Sequence, residues 1–95
     1  MSYIVDFTPE ALDDAEALIQ SLSEDRWSEA EDGLGRALES LGIAPALAAK
    51  NARLGRPEFR FTFSAGGVRY HWAATFCFGQ DEQTIYVTHI YRTPL

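Results

Sequence analysis

Arg60, Arg69, His71 and Arg92 are the residues of this chain whose types and spacing suit chemistry on phosphate. Arginine stays protonated, donates in a fork and stabilises the charge that develops on a cleaved phosphodiester. Histidine is the side chain type that most readily gives and takes a proton near neutral pH, so His71 suits a general acid or base acting through a 2′-hydroxyl. Residues two apart in a strand share a face, so Arg69 and His71 project together, and alternation puts Arg60 with them. Arg92 joins that face if the last strand shows Tyr86 and Thr88 on it. Lys50, Arg53 and Arg56 form the densest basic run and suit contacts to a nucleic-acid backbone. Tyr91 or Tyr86 could stack on a base.

Each of these residues has a plainer reading. Arginines pair with acids or cover apolar surface, and His71 can be an ordinary surface histidine. His89 falls on the other face from Arg92 and reads as a buried, hydrogen-bonded histidine. Tyr70 and Trp72 read as core, and Cys77 as core or sheet filler in place of a nucleophile. Two histidines and one cysteine on separate strands do not give a metal spacing, so neither a metal nor another cofactor is expected. No phosphate-cradling glycine motif, nucleophile elbow or carboxylate pair stands out.

Residues 58–92 must position these groups. Phe59, Phe61 and Phe63 alternate with Arg60, Thr62 and Ser64. Val68, Tyr70, Trp72, Ala74, Phe76 and Phe78 alternate with Arg69, His71, Ala73, Thr75 and Cys77. The apolar sets predict one buried face and the others a mostly polar one. Ala65-Gly66-Gly67 suits a tight hairpin, and Gly79–Gln83 a longer turn. The third run, Thr84–Arg92, is mixed on both faces and cannot be oriented by period alone.

Upstream, Tyr3–Phe7 predicts a short strand. Thr8-Pro9-Glu10 predicts a helix start, with Thr8 as N-cap. Leu12, Ala15, Leu18, Ile19 and Leu22 form its apolar stripe. Ser23–Asp25 caps a second helix with the stripe Trp27, Ala30, Leu34, Ala37, Leu38 and Leu41, unless Ser28 and Glu31 set a capping box and a later start. Gly33 and Gly35 weaken its middle by about 1 kcal/mol each relative to Ala, and Gly42 is the expected stop. The two helices read as a hairpin on one face of the sheet. The segment from Gly42 to Pro57 reads as a surface loop that has room for one helical turn.

Ninety-five residues make one domain, spanning 1–95. The net charge of −6 hides an asymmetry: residues 1–49 carry eleven acids and two bases, and residues 50–95 three acids and six bases. An acidic chain is not a general nucleic-acid binder, but a basic patch on the second half is compatible with this distribution. The acids read as solvated helix faces. The single cysteine rules out an intrachain disulfide and fits a reducing compartment. No apolar run is long enough for a membrane helix, and the N-terminus does not read as a signal peptide. A cytoplasmic location without membrane partners is expected.

The order is strand, helix, helix, loop and three antiparallel strands. With it come Tyr-Ile-Val-Asp-Phe-Thr-Pro-Glu-Ala at residues 3–11, Leu-Gly-Arg-Pro-Glu-Phe-Arg-Phe at 54–61, Gly-Val-Arg-Tyr-His-Trp at 67–72 and Ile-Tyr-Val-Thr-His-Ile-Tyr-Arg at 85–92. In this the chain resembles the RelE/ParE superfamily of bacterial type II toxin–antitoxin systems, over nearly its whole length. The resemblance implies an α+β fold, β-α-α-β-β-β, with a helical hairpin on a mostly antiparallel four-stranded sheet. It implies a toxin that a cognate antitoxin neutralises by wrapping the helices and the open sheet groove.

In the ribonuclease members the sheet presents basic residues to messenger RNA in the ribosome. By position, Arg69 matches the arginine of the third strand, Arg92 the basic residue closing the fourth and Arg60 the basic position of the second. Thr62 stands where a second basic residue is usual. Lysine is absent from the sheet, the overall charge is acidic, and no tyrosine or histidine follows Arg92. The resemblance therefore leaves three readings open: a ribosome-dependent endoribonuclease, a ParE-like inhibitor of DNA gyrase, and a non-catalytic interaction domain. A homodimer is compatible with each.

Overall fold

The computed structural model describes residues 2–45, 51–53 and 56–94, and of residues 51–53 only the backbone. Lys50 lies outside the described residues, as does the side chain of Arg53.

Strand β1 (Ile4–Phe7) leads into helix α1 (Pro9–Gln20). A 3₁₀ turn (Glu24–Arg26) then leads into helix α2 (Trp27–Ile43). Four strands follow: β2 (Asn51–Arg53), β3 (Arg56–Ala65), β4 (Val68–Phe78) and β5 (Thr84–Arg92). They form one sheet in the order β1-β5-β4-β3-β2. β1 runs parallel to β5, and the other pairs are antiparallel. The expected α+β architecture is present, with β2 as an addition. That three-residue strand pairs with Arg56–Glu58 within the segment expected to be a loop.

The start of α1 follows its local chemistry. The Thr8 hydroxyl accepts the N–H of Ala11 at 3.3 Å, and Pro9 occupies the first turn. The same hydroxyl lies 3.2 Å from the carbonyls of Val87 and Thr88, which ties the helix start to β5. The apolar stripe is rotated from the expected one. Ala11 and Ala15 are buried, whereas Leu12 is 52% exposed. The small side chains let α1 lie close against β5.

Helix α2 begins at Trp27, before the Ser28–Glu31 box. A 3₁₀ turn precedes it, and neither Ser23 nor Arg26 makes a side-chain cap. It continues through Gly42, the expected stop, to Ile43. The reason is packing. A Cβ on Gly42 would lie 3.1 Å from the Tyr3 carbonyl, and the Gly42 carbonyl accepts the Tyr3 N–H at 2.8 Å. Gly33 is likewise a contact point, because a Cβ there would fall 2.5 Å from Phe63 Cβ. These glycines lower helix propensity and allow the helix to approach the sheet.

The core lies between the helices and one face of the sheet. Leu34, Leu41, Phe61, Phe63, Trp72, Phe76, Ile85 and Val87 are all buried in it. Trp72 meets Phe61 and Phe63 edge to face, and Tyr70 stacks on Phe63. Gly66 and Gly67 turn the β3–β4 hairpin at positive φ. The β4–β5 turn is pinned by Asp81, which accepts the N–H groups of Gln83 and Thr84 and the Thr84 hydroxyl. These bonds, that from Gln83 foremost, hold its carboxyl below the usual range.

β1 covers only Thr84–Val87 of β5. Beyond it α1 takes over the edge, and the Asp14 carboxylate accepts the Ile90 N–H at 3.1 Å. His89 approaches the same oxygen at 3.4 Å and is partly exposed, where a buried histidine was expected. Asp14→Ala is expected to cost about 1–2 kcal/mol by leaving that strand amide without its acceptor. Faster amide exchange at Ile90, with most other strand amides unchanged, would be the signature; an unchanged Ile90 rate would refute it.

Candidate functional site

Alternation in β3 and β4 holds as the sequence predicts, except that Val68 and Phe78, at the two ends of β4 where the helix layer no longer covers the sheet, are exposed and not buried. Cross-strand pairs align Thr62 with His71, Arg60 with Ala73 and Glu58 with Thr75. Because paired residues share a face, Arg60, Thr62, Arg69 and His71 all lie on the side away from the core. Arg69 is exposed and donates to the Thr62 hydroxyl at 3.0 Å. The middle of this face is shielded: Ala73, Thr75 and Thr88 are buried, and the two threonine hydroxyls are 2.7 Å apart.

A bulge decides the orientation of β5. Thr75 pairs with His89 and Phe76 with Val87, so one extra residue, Thr88, is accommodated there. Before the bulge, Ile85 and Val87 face the core. After it, Ile90 faces the core and the phase has changed. Tyr91 then pairs with Ala73 and Arg92 with Trp72. Tyr91 therefore shares the open face with Arg60. Arg92 does not join that face through its strand, although Tyr86 and Thr88 are on it. Its guanidinium lies on the helix side, donating to Ser21 at 2.7 Å.

Arg92 and the open-face residues still meet at one place. β5 ends opposite Trp72, so the edge of β4 from Val68 to Tyr70 extends past it, and Thr93 adds one last bond to the His71 carbonyl at 2.9 Å. A cleft of about 380 Å³ wraps this free edge, lined by Arg69 and His71 from one side and Leu22, Trp72 and Arg92 from the other. Two arginines and a histidine at one cleft can hold an anion and move a proton beside it. Arg56 is exposed at the start of β3, away from this cleft.

Glu58 is the site residue that reading by charge type overlooks. It is 3% exposed yet lies on the open face. Its Oε1 accepts Arg60 Nε at 2.7 Å, and its Oε2 accepts the Tyr91 hydroxyl. This bond to Glu58 raises the Arg60 pKa above its ordinary value. The signal was present in the sequence, since Glu58 and Arg60 are two apart in a strand and must share a face.

The acids of α1 and α2 are largely exposed, so the helix layer is negative and the arginines Arg56, Arg60 and Arg69 lie elsewhere, on the sheet. Such a division steers a polyanion away from the helices and towards the sheet.

No family model matches the sequence, and no curated protein matches it. Solved structures do match. One is a mutant of the E. coli toxin RelE in the free state, with 15% identity and a TM-score of 0.59, covering 97% of this chain and 84% of that one. Another is the toxin–antitoxin complex RelBE2 from Mycobacterium tuberculosis, with 16% identity and a TM-score of 0.59 over 98% of this chain and 100% of that one. A third is a RelE mutant with an antitoxin RelB peptide, with a TM-score of 0.55. The chain shares the fold of these RelE toxin structures.

Proposed function

We propose that this chain, whose fold is that of RelE-like toxins, is the toxin of a type II toxin–antitoxin pair and acts on RNA in the ribosome. What carries the reading is the cleft at the free edge of β4, which gathers Arg69, His71 and Arg92 on a RelE-like scaffold. Arg69 holds the phosphate with the guanidinium donors it does not spend on Thr62. Arg92 supports it from the far side of the cleft, and His71 supplies or removes the proton. The neutralising partner is an antitoxin, and the site of action is the cytoplasm. No described helix is long and apolar enough to cross a membrane.

Expression of the chain in a bacterium is expected to arrest growth, with messenger RNA cut on ribosomes. A small adjacent gene for a DNA-binding protein should restore growth when co-expressed. Arg92 already has a hydrogen-bond partner in Ser21, and Arg60 has one in Glu58, which gives the gyrase reading its footing. DNA breaks without translation arrest would establish that reading instead. Normal growth with intact RNA would leave an interaction domain on a toxin fold.

A further inference from the structure

The open face holds a buried carboxylate directly against one of its arginines. Burying a charge is costly unless it is paired, and Glu58, at 3% exposure, has Arg60 and Tyr91 among its partners. Arg60 is different: its side chain is 56% exposed. The Glu58 carboxylate sits directly against the Arg60 guanidinium and offsets its charge. An approaching phosphate meets an arginine without a bonded carboxylate at Arg69, which donates to the Thr62 hydroxyl, and one already bonded to a carboxylate at Arg60.

We propose that Glu58 occupies the anion position of Arg60, so that Arg60 takes a phosphate only when Glu58 releases it, and that Glu58 thereby sets how many phosphates the face engages. A carboxylate and a phosphate oxygen are the same kind of acceptor for a guanidinium, so the two compete for one fork. Glu58 also holds the Tyr91 hydroxyl. Release would therefore alter the setting of a cation and of an aromatic hydroxyl on the same row of the sheet, where Arg60, Ala73 and Tyr91 stand side by side. Glu58 is a positioning residue here, acting through Arg60. The choice of RNA as the polyanion rests on the reading above; the masking of Arg60 does not.

Two measurements separate these claims. In the first, inorganic phosphate is titrated into the wild-type chain while the arginine Nε–H resonances are followed. Arg69 is expected to respond at lower phosphate than Arg60, and Glu58→Gln should bring the Arg60 response down to that of Arg69. In the second, a single-stranded RNA oligonucleotide is bound to wild type, Glu58→Gln, Arg60→Ala and the double variant over a range of salt. Glu58→Gln should bind about tenfold tighter at low salt, and its salt slope should steepen by about 0.7 for the one phosphate gained. Arg60→Ala should cost about tenfold more in the Glu58→Gln background than in wild type. Equal costs in both backgrounds, or a wild-type Arg60 that responds to phosphate as readily as Arg69, would overturn the proposal. The phosphate result on wild type stands even if Glu58→Gln does not fold. If no variant binds RNA but phosphate behaves as expected, masking holds and the RNA reading fails.

Discussion

Arg69→Ala is expected to lower RNA cleavage by about 10²–10³ and to abolish growth arrest, at nearly unchanged stability. The magnitude is that of removing one preorganised donor from the charge that develops in a transition state. Stability should hold because Arg69 is exposed, and the bond it donates to the Thr62 hydroxyl is at the surface. Lysine is a poorer replacement than its charge suggests, since it supplies a point charge in place of a planar fork. Arg69→Lys should therefore recover only part of the activity. Comparing single-turnover cleavage on programmed ribosomes with thermal melting decides the matter. Retained toxicity in Arg69→Ala would remove this residue from the site, and loss of toxicity with a collapsed melting temperature would mark it as structural.

Gly33→Val is expected to be the most damaging substitution of a small residue, at about 3 kcal/mol. The first atom of any side chain at this position falls 2.5 Å from Phe63 Cβ and 2.7 Å from its Cγ. Phe63 cannot yield easily, because it is buried, stacked on Tyr70 and edge-on to Trp72 at 4.6 Å. Overpacking of a dense core typically costs about 1–3 kcal/mol, and a β-branched group at van der Waals overlap belongs at the upper end. The intrinsic helix gain of at most about 1 kcal/mol is too small to offset it. For a chain of this size the loss corresponds to a fall in melting temperature of about 12–24 °C. Gly35 provides the control on the same helix. A Cβ there meets nothing within 4 Å, so Gly35→Ala should be neutral or stabilising by up to about 1 kcal/mol. Similar melting for the two variants would show that helix propensity, and not the contact with Phe63, sets the cost.

The same two glycines show where local reading ends. In sequence they are equivalent interruptions of one helix. The tertiary structure separates them, because the helix rotates Gly33 onto the sheet and Gly35 away from it. Leu12 and Ala11 differ for a related reason. Hydropathy favours leucine for the buried stripe, yet the close approach of α1 to β5 admits only the smaller residue, and Leu12 is left outside.

The order of elements other than β2, the Thr8 cap, the β3–β4 hairpin and the two-faced character of β3 and β4 were legible in the sequence. These depend on period, on turn residues and on interactions within a few positions. Alternation alone places Arg60, Arg69 and His71 on one face, and it could have placed Glu58 there too. The tertiary structure decided the rest. A single extra residue at Thr88 reverses the phase of β5 and sends Arg92 to the helix side and Tyr91 to the open face. No local preference announces that bulge. It follows from the junction at which β1 ends, Thr8 reaches the carbonyls of Val87 and Thr88, and Asp14 takes over the edge at Ile90. Pairing of Arg60 with the buried Glu58, and the meeting of Arg69 with Arg92 around the end of β4, likewise arise only once strands distant in sequence have been brought into register.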